Sequence, residues 1–136
     1  MLSRRREIFI SWFAVVLWMG VIFALSSVRG LTSPLEPTYD FILRKFAHMA
    51  EYAVLTLFLY RALRAHDMPV KQALLAGALA AFIFAVSDEW HQTFVKGRNG
   101  TLRDVAIDGA GIAGAAWIVR WRRLRAYPKT TAADQQ

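Results

Sequence analysis

Apolar residues in this chain gather in four blocks, and a helix needs about 20 such residues to cross a bilayer. The first runs from roughly Ile8 to Ser26, has no charge inside and carries Trp12 and Trp18. The second runs from about Phe41 to Leu63 and is apolar except for Arg44, Lys45, His48 and Glu51, all in its first half. The third, about Val70 to Ser87, is rich in Ala and Leu. The fourth, about Asp104 to Trp121, has Asp108 one turn inside its start. Each predicts a helix, because backbone groups in lipid must find partners within their own segment. Pro34 and Pro37 interrupt the first connection and Pro69 the second, while Gly97, Asn99 and Gly100 mark a short third loop.

The expected fold is therefore all-α: a four-transmembrane-helix bundle. Residues 1–7 form a basic N-terminal segment, 8–121 the membrane domain, and 122–136 a basic and then polar tail. The first block exceeds a signal-peptide core of about 7–15 residues, so it reads as a span and not as a cleaved leader.

Composition agrees with this segregation. The 136 residues are 56% hydrophobic yet 20% charged, with net charge +7 and no Cys. That excludes a disordered chain, a disulfide framework, Cys nucleophiles and thiolate metal sites. The basic residues flank apolar blocks instead of forming one polar face, which argues against nucleic acid as a partner. Eleven Lys and Arg residues fall on the side holding Arg4, Arg61 and Arg123, and six on the other. The richer side is expected to be cytoplasmic, so both termini lie inside. Seven of the ten acidic residues lie on the outer side.

The polar residues set against the apolar blocks are the informative ones, because a charge at mid-membrane costs about 2.5–3.5 kcal/mol on insertion scales. Lys45, His48, Glu51 and Tyr52 stand at i, i+3, i+6 and i+7, which makes a polar stripe on one helix face. At the end of the third block, Ser87-Asp88-Glu89-Trp90-His91-Gln92 puts Asp88 and His91 on one face and Glu89 and Gln92 on another. Two acids at a helix C-terminus oppose the macrodipole and ask for a compensating cation. Arg98 between glycines suits a turn that aims one guanidinium at a phosphate or carboxylate; an ordinary Arg–Asp ion pair is the competing reading. Thr101 with Asp104 three residues on resembles an acidic capping box. Capping does not explain Asp108, for which His48 or Lys45 on another helix is the expected partner. Gly109-Ala110-Gly111-Ile112-Ala113-Gly114 fits a dinucleotide fingerprint in letters only, since no strand precedes it. Its small residues instead let the fourth helix press on the second or third. Up-and-down crossings then bring Lys45, His48, Glu51, Asp88, Glu89, His91, Arg98, Asp104 and Asp108 toward one outer pocket rimmed by Ser26 and Ser27. His66-Asp67 falls in a short inner loop, as solvated surface.

Together these motifs resemble the VanZ-like family of small bacterial membrane proteins, over about residues 8 to 120. The likeness rests on Leu25-Ser26-Ser27, Lys45-x-x-His48-x-x-x-Tyr52, Ser87-Asp88-Glu89-x-His91-Gln92-x-Phe94, Gly97-Arg98, Arg103-Asp104-Val105 and Asp108-x-x-Gly111-x-x-Gly114. Lys96 stands where proline is usual, and Asp108 where Asn is often found. The resemblance implies a multi-pass protein of the bacterial cytoplasmic membrane, and its name comes from a protein associated with teicoplanin resistance. It supplies no settled reaction.

Two functions are expected from different classes. In the first, an enzyme acts at the outer leaflet on a lipid-linked or cell-envelope substrate. His48 is then base or nucleophile, Glu89 and Asp104 orient it or hold a divalent cation, and Lys45 and Arg98 bind an anionic group. Tyr52, His91, Gln92 and Asp108 complete the substrate-binding set. In the second, a non-catalytic module binds an envelope lipid or a partner, and the same residues are a buried ion-pair network. Membrane lipids are the expected partners in both, with self-association left open. A transporter fits less well, because the charges gather on one side of a narrow bundle. The discriminator is satisfaction: a structural network pairs its members internally.

Overall fold

A computed structural model of the chain describes residues 2–28, 37–95 and 100–126, and among these its only regular elements are helices. The helices are α1 (Leu2–Ser27), α2 (Pro37–Arg64), α3 (Val70–Gln92) and α4 (Leu102–Ala126). All four outrun the apolar blocks that predict them. The reason is local: Arg4–Arg6, Ser87–Gln92 and Arg122–Arg125 are tolerated by a helix even where lipid would not accept them. Pro37, expected to break the chain, instead heads α2. Its missing N–H costs nothing there, and its fixed φ suits a first turn. The chain from 127 to 136 and the loop residues 96–99 lie outside the described residues.

α2 is the central helix. It packs on α1, α3 and α4, α3 also packs on α1 and α4, and the backbones of α1 and α4 do not approach closely among the described residues. The core is Val15 and Ile22 of α1, Tyr52, Leu55, Leu59 and Ala62 of α2, Ala81 and Ala85 of α3, and Ile112 of α4. Trp18 meets Phe58 edge-on at 5.9 Å, and its indole N–H donates to the Glu51 carbonyl at 2.9 Å.

The inward face of α3 explains why the site lies where it does. Ala73, Gly77, Ala81 and Ala85 recur every fourth residue and are all buried. This small-residue stripe lets α2 lie close. The same stripe continues into Asp88, Glu89 and Gln92, which are also buried. A helix that presents alanine inward along most of its length thus carries two carboxylates into the bundle at its end. α4 does the same in reverse, with Asp104, Asp108, Gly111, Ile112 and Ala115 all buried.

The two ends of the bundle are distinct. Trp12 Nε1 donates to His66 Nε2 at 3.0 Å, Arg4 pairs with Asp67, and Arg123 reaches the Tyr60 hydroxyl at 3.4 Å. These contacts tie the exposed His66-Asp67 turn to α1 and mark the basic end. Ser26, Lys45, Glu89 and Thr101 meet at the other. Successive helices therefore run antiparallel.

Two helices are long and apolar enough to cross a membrane, over Ser3–Ser27 and Val70–Gln92. They bury only 17% and 22% of their most apolar windows, unlike the core helix of a soluble protein. Phe9, Phe13, Leu17, Leu75, Leu79, Ile83, Trp90 and Trp117 face outward. Four spans were expected, and α2 and α4 do not meet the same measure. Lys45, Glu51, Asp104 and Asp108, turned into the bundle or against it, lower their hydropathy.

Candidate functional site

Four helices contribute to the polar end. From α1, the buried Ser26 hydroxyl donates to Asp88 Oδ1 at 2.6 Å. From α3, Gln92 Nε2 donates to Asp88 Oδ2 at 2.9 Å and to Glu89 Oε1 at 3.3 Å. The i+3 and i+4 steps of one helical turn let a single amide clamp both carboxylates. The sequence reading separated Gln92 from Asp88 onto different faces, and the reach of the glutamine side chain joins them. Leading into α4, the Thr101 backbone N–H donates to Glu89 Oε2 at 3.1 Å. Both acids of α3 are thus held at both oxygens.

α2 and α4 meet through two charge pairs one turn apart. Lys45 pairs with Asp104. His48 Nδ1 lies 3.6 Å from Asp108 Oδ1. Of the two partners anticipated for Asp108, His48 is the one the fold supplies, because Lys45 sits one turn nearer the helix start, opposite Asp104. The close approach depends on Gly111, where a Cβ would overlap the Met49 backbone carbonyl. Gly109 and Gly114 meet nothing, so one glycine of the run sets the α2–α4 crossing. Close approach also operates at Gly100, where a Cβ would overlap the Glu89 carbonyl. That close approach holds Gly100 against α3 and Thr101 within reach of Glu89.

The capping box is half formed. Asp104 N–H donates to Thr101 Oγ1 at 3.2 Å, the expected N-cap bond. The reciprocal bond is replaced, since the Thr101 N–H goes to Glu89 and the Asp104 carboxylate to Lys45. Capping thus accounts for the backbone of Asp104 and not for its charge.

Two groups are buried without satisfaction. The Tyr52 hydroxyl and both carboxylate oxygens of Asp108 make no hydrogen bond among the described residues. Tyr52 and Asp108 are both 0% exposed. His48, Asp88 and Glu89 bring one donor atom each to within 4.8 Å of one another, so the imidazole faces carboxylates from two other helices. Such an arrangement can take up a proton or hold a cation.

Several expected residues stand elsewhere. His91 turns to α1, its ring tilted against Phe23 at 4.6 Å and lying 3.3 Å from the Ser27 hydroxyl. Arg98, expected to hold an anionic group, lies outside the described residues, as does Lys96. Asp88, expected in the outer pocket but in neither the catalytic nor the substrate-binding set, sits between Ser26, Gln92 and the His48 group. Its signal was available: it follows Ala85 by three residues, on the face of α3 that the buried small residues mark. Beside Glu89 a groove of about 210 Å³ opens between α3 and α4, lined by Val86, Trp90, Thr93, Thr101, Leu102 and Val105. It joins a buried carboxylate to an apolar outer wall.

The VanZ/LLP1 family model matches residues 9–123. No curated protein and no solved structure matches the chain.

Proposed function

The chain belongs to the VanZ/LLP1 family, and we propose that it is a multi-pass protein of the bacterial cytoplasmic membrane that binds a cell-envelope lipid or lipid-linked anionic substrate at the polar end of its bundle. On this reading all four helices cross the bilayer. The excess of Lys and Arg at the Arg4–Arg123 end puts both termini inside and the His48 group at the outer leaflet.

The observation that carries this reading is the unsatisfied Asp108 carboxylate. A network kept only for helix register satisfies its members, and Asp108, 3.6 Å from His48 Nδ1, has both oxygens buried with no hydrogen bond among the described residues. A binding site holds such a group ready for what it binds. The groove at Glu89 gives a lipid a lateral way in, with acyl chain against Val86, Trp90 and Leu102 and headgroup at the polar end of the bundle. The competing reading, a non-catalytic structural network, draws on the Lys45–Asp104 pair and the Gln92 clamp. It leaves the buried Tyr52 hydroxyl and the second Asp108 oxygen, which does not face His48, without explanation.

The test is lipid retention. The purified chain is placed in nanodiscs of phosphatidylcholine doped with phosphatidylglycerol or a polyprenyl phosphate. Lipid that stays bound after release into detergent is weighed by native mass spectrometry. Wild type is expected to retain one of the two anionic lipids over phosphatidylcholine, and Glu89→Gln and Asp108→Asn to lose that preference. Equal retention of all lipids, or a preference unchanged in both variants, overturns the reading. Teicoplanin susceptibility of cells carrying the same variants is a secondary readout.

A further inference from the structure

We propose that His48, Asp88 and Glu89 form a binding site for one divalent first-row transition-metal ion, with Asp108 beside it as the charge that holds His48. The inference deepens the lipid reading of the same site, and rests on it only for what the ion does, not for its binding.

The donor geometry comes first. One nitrogen of His48 and one oxygen each of Asp88 and Glu89 lie within 4.8 Å of one another. Metal bonds of about 2.0–2.2 Å place neighbouring donors roughly 3–4 Å apart, so small side-chain rotations close the set. The donors come from two helices, and both carboxylates are buried. Asp108, from a third helix, is an independent indication. It is fully buried, lacks any hydrogen bond among the described residues, and lies 3.6 Å from His48 Nδ1. A carboxylate behind a ligating histidine fixes ring orientation and raises its basicity.

Charge points the same way. Asp104 is paired with Lys45, while Asp88, Glu89 and Asp108 lie around one imidazole. Buried like charges are costly in a bundle surrounded by lipid, and a divalent cation offsets them. The carboxylates are also supported as metal ligands commonly are. Ser26 and Gln92 hold Asp88, and Gln92 and the Thr101 N–H hold Glu89. Each oxygen keeps a lone pair for an ion. A mixed imidazole and carboxylate set favours Zn²⁺ or Mn²⁺ over Ca²⁺ or Mg²⁺.

The ion also resolves a difficulty in the lipid reading. The described site is rich in carboxylates, which repel an anionic headgroup. A metal held by three protein ligands keeps positions open for a phosphate oxygen, and so turns an acidic site into one that accepts an anion.

The experiment uses the full chain, purified without a histidine tag, stripped with chelator and kept in lipid-free detergent. It is dialysed against ZnCl₂, MnCl₂ or MgCl₂, and bound metal is counted by mass spectrometry. Expected is one Zn²⁺ or Mn²⁺ per chain and no retained Mg²⁺. His48→Gln, Asp88→Asn and Glu89→Gln should each weaken binding by more than the roughly 10–100-fold expected for the supporting changes Ser26→Ala and Gln92→Ala. His66→Gln and His91→Gln should bind as wild type. Circular dichroism establishes that each variant is folded, and the visible spectrum of the Co²⁺ form should change in His48→Gln. Folded wild type that retains no ion overturns the site, as does equal retention by the triple variant His48→Gln/Asp88→Asn/Glu89→Gln. Metal without lipid preference overturns the lipid reading alone, and lipid preference without metal overturns the metal site alone.

Discussion

The Thr101 backbone N–H donates to Glu89 Oε2 at 3.1 Å, so the residue that caps α4 also fastens the last turn of α3. This bond occupies the donor that a reciprocal capping box would use. Asp104 is thereby left to pair with Lys45 of α2. A local helix-start signal has been divided between two neighbouring helices, and three elements are joined where the sequence suggested one.

Thr101→Ala removes the hydroxyl that accepts from the Asp104 N–H but keeps the backbone bond to Glu89. The expected loss is that of one N-cap, about 1 kcal/mol, with metal binding unchanged. Thr101→Ser should stay near wild type. Reversible unfolding in mixed micelles checks both, and a loss several times larger would mean that the hydroxyl does more than cap.

Lys45 and Asp104 are largely buried together. Removing one partner leaves a charge in a poorly solvated place, so Lys45→Met and Asp104→Leu should each destabilise. The double variant should recover part of the loss, because two apolar groups leave no orphan charge. The cycle is expected to return a coupling of roughly 0.5–3 kcal/mol. Additive losses would show that the two side chains act separately.

Gly111→Ala puts a methyl against the Met49 carbonyl, which is backbone and yields little. Overpacking of this kind costs about 1–3 kcal/mol. By widening the α2–α4 crossing it should also separate His48 from Asp108 and weaken metal binding. Gly114→Ala meets open space and should be neutral or slightly stabilising, since alanine is the better helix former. If the two variants unfold alike, Gly111 does not set the crossing.

The chain has no Cys, so single cysteines report topology without background. Thr93→Cys, beyond the end of α3, should react with a membrane-impermeant maleimide in intact cells. Arg122→Cys, near the end of α4, should react only after permeabilisation. The reverse pattern would put the His48 group on the cytoplasmic side.

Much of the fold was legible because it depends on local properties. Long apolar runs gave helices in the right order, and the polar spacing in the second block placed Lys45, His48 and Tyr52 on one face. The helix ends were less legible. Charged turns such as Arg4–Arg6 and Ser87–Gln92 continue a helix at little cost, so the boundary of an apolar block is not the boundary of the helix. The site was legible as a group and not as pairs. His48 with Asp108 was one of two expected alternatives, and His91 packs against Phe23 although its spacing from Asp88 suggested a place in the pocket.

The sequence by itself determined that four helices form and that their polar residues collect at one end, because helical periodicity and up-and-down order follow from neighbours along the chain. Tertiary structure alone decided which carboxylate meets which base and which glycine sets the contact. Those outcomes depend on how closely two helices approach and at what height. At Gly111 and Gly77 that distance is set by backbone packed against backbone. The approach at Gly111 leaves Asp108 buried against His48, and the packing of α1 on α3 places Asp88 beside Ser26. A difference of one turn, about 5.4 Å, would set Lys45 opposite Asp108 or His48 opposite Asp104, and nothing in the order of residues records that height.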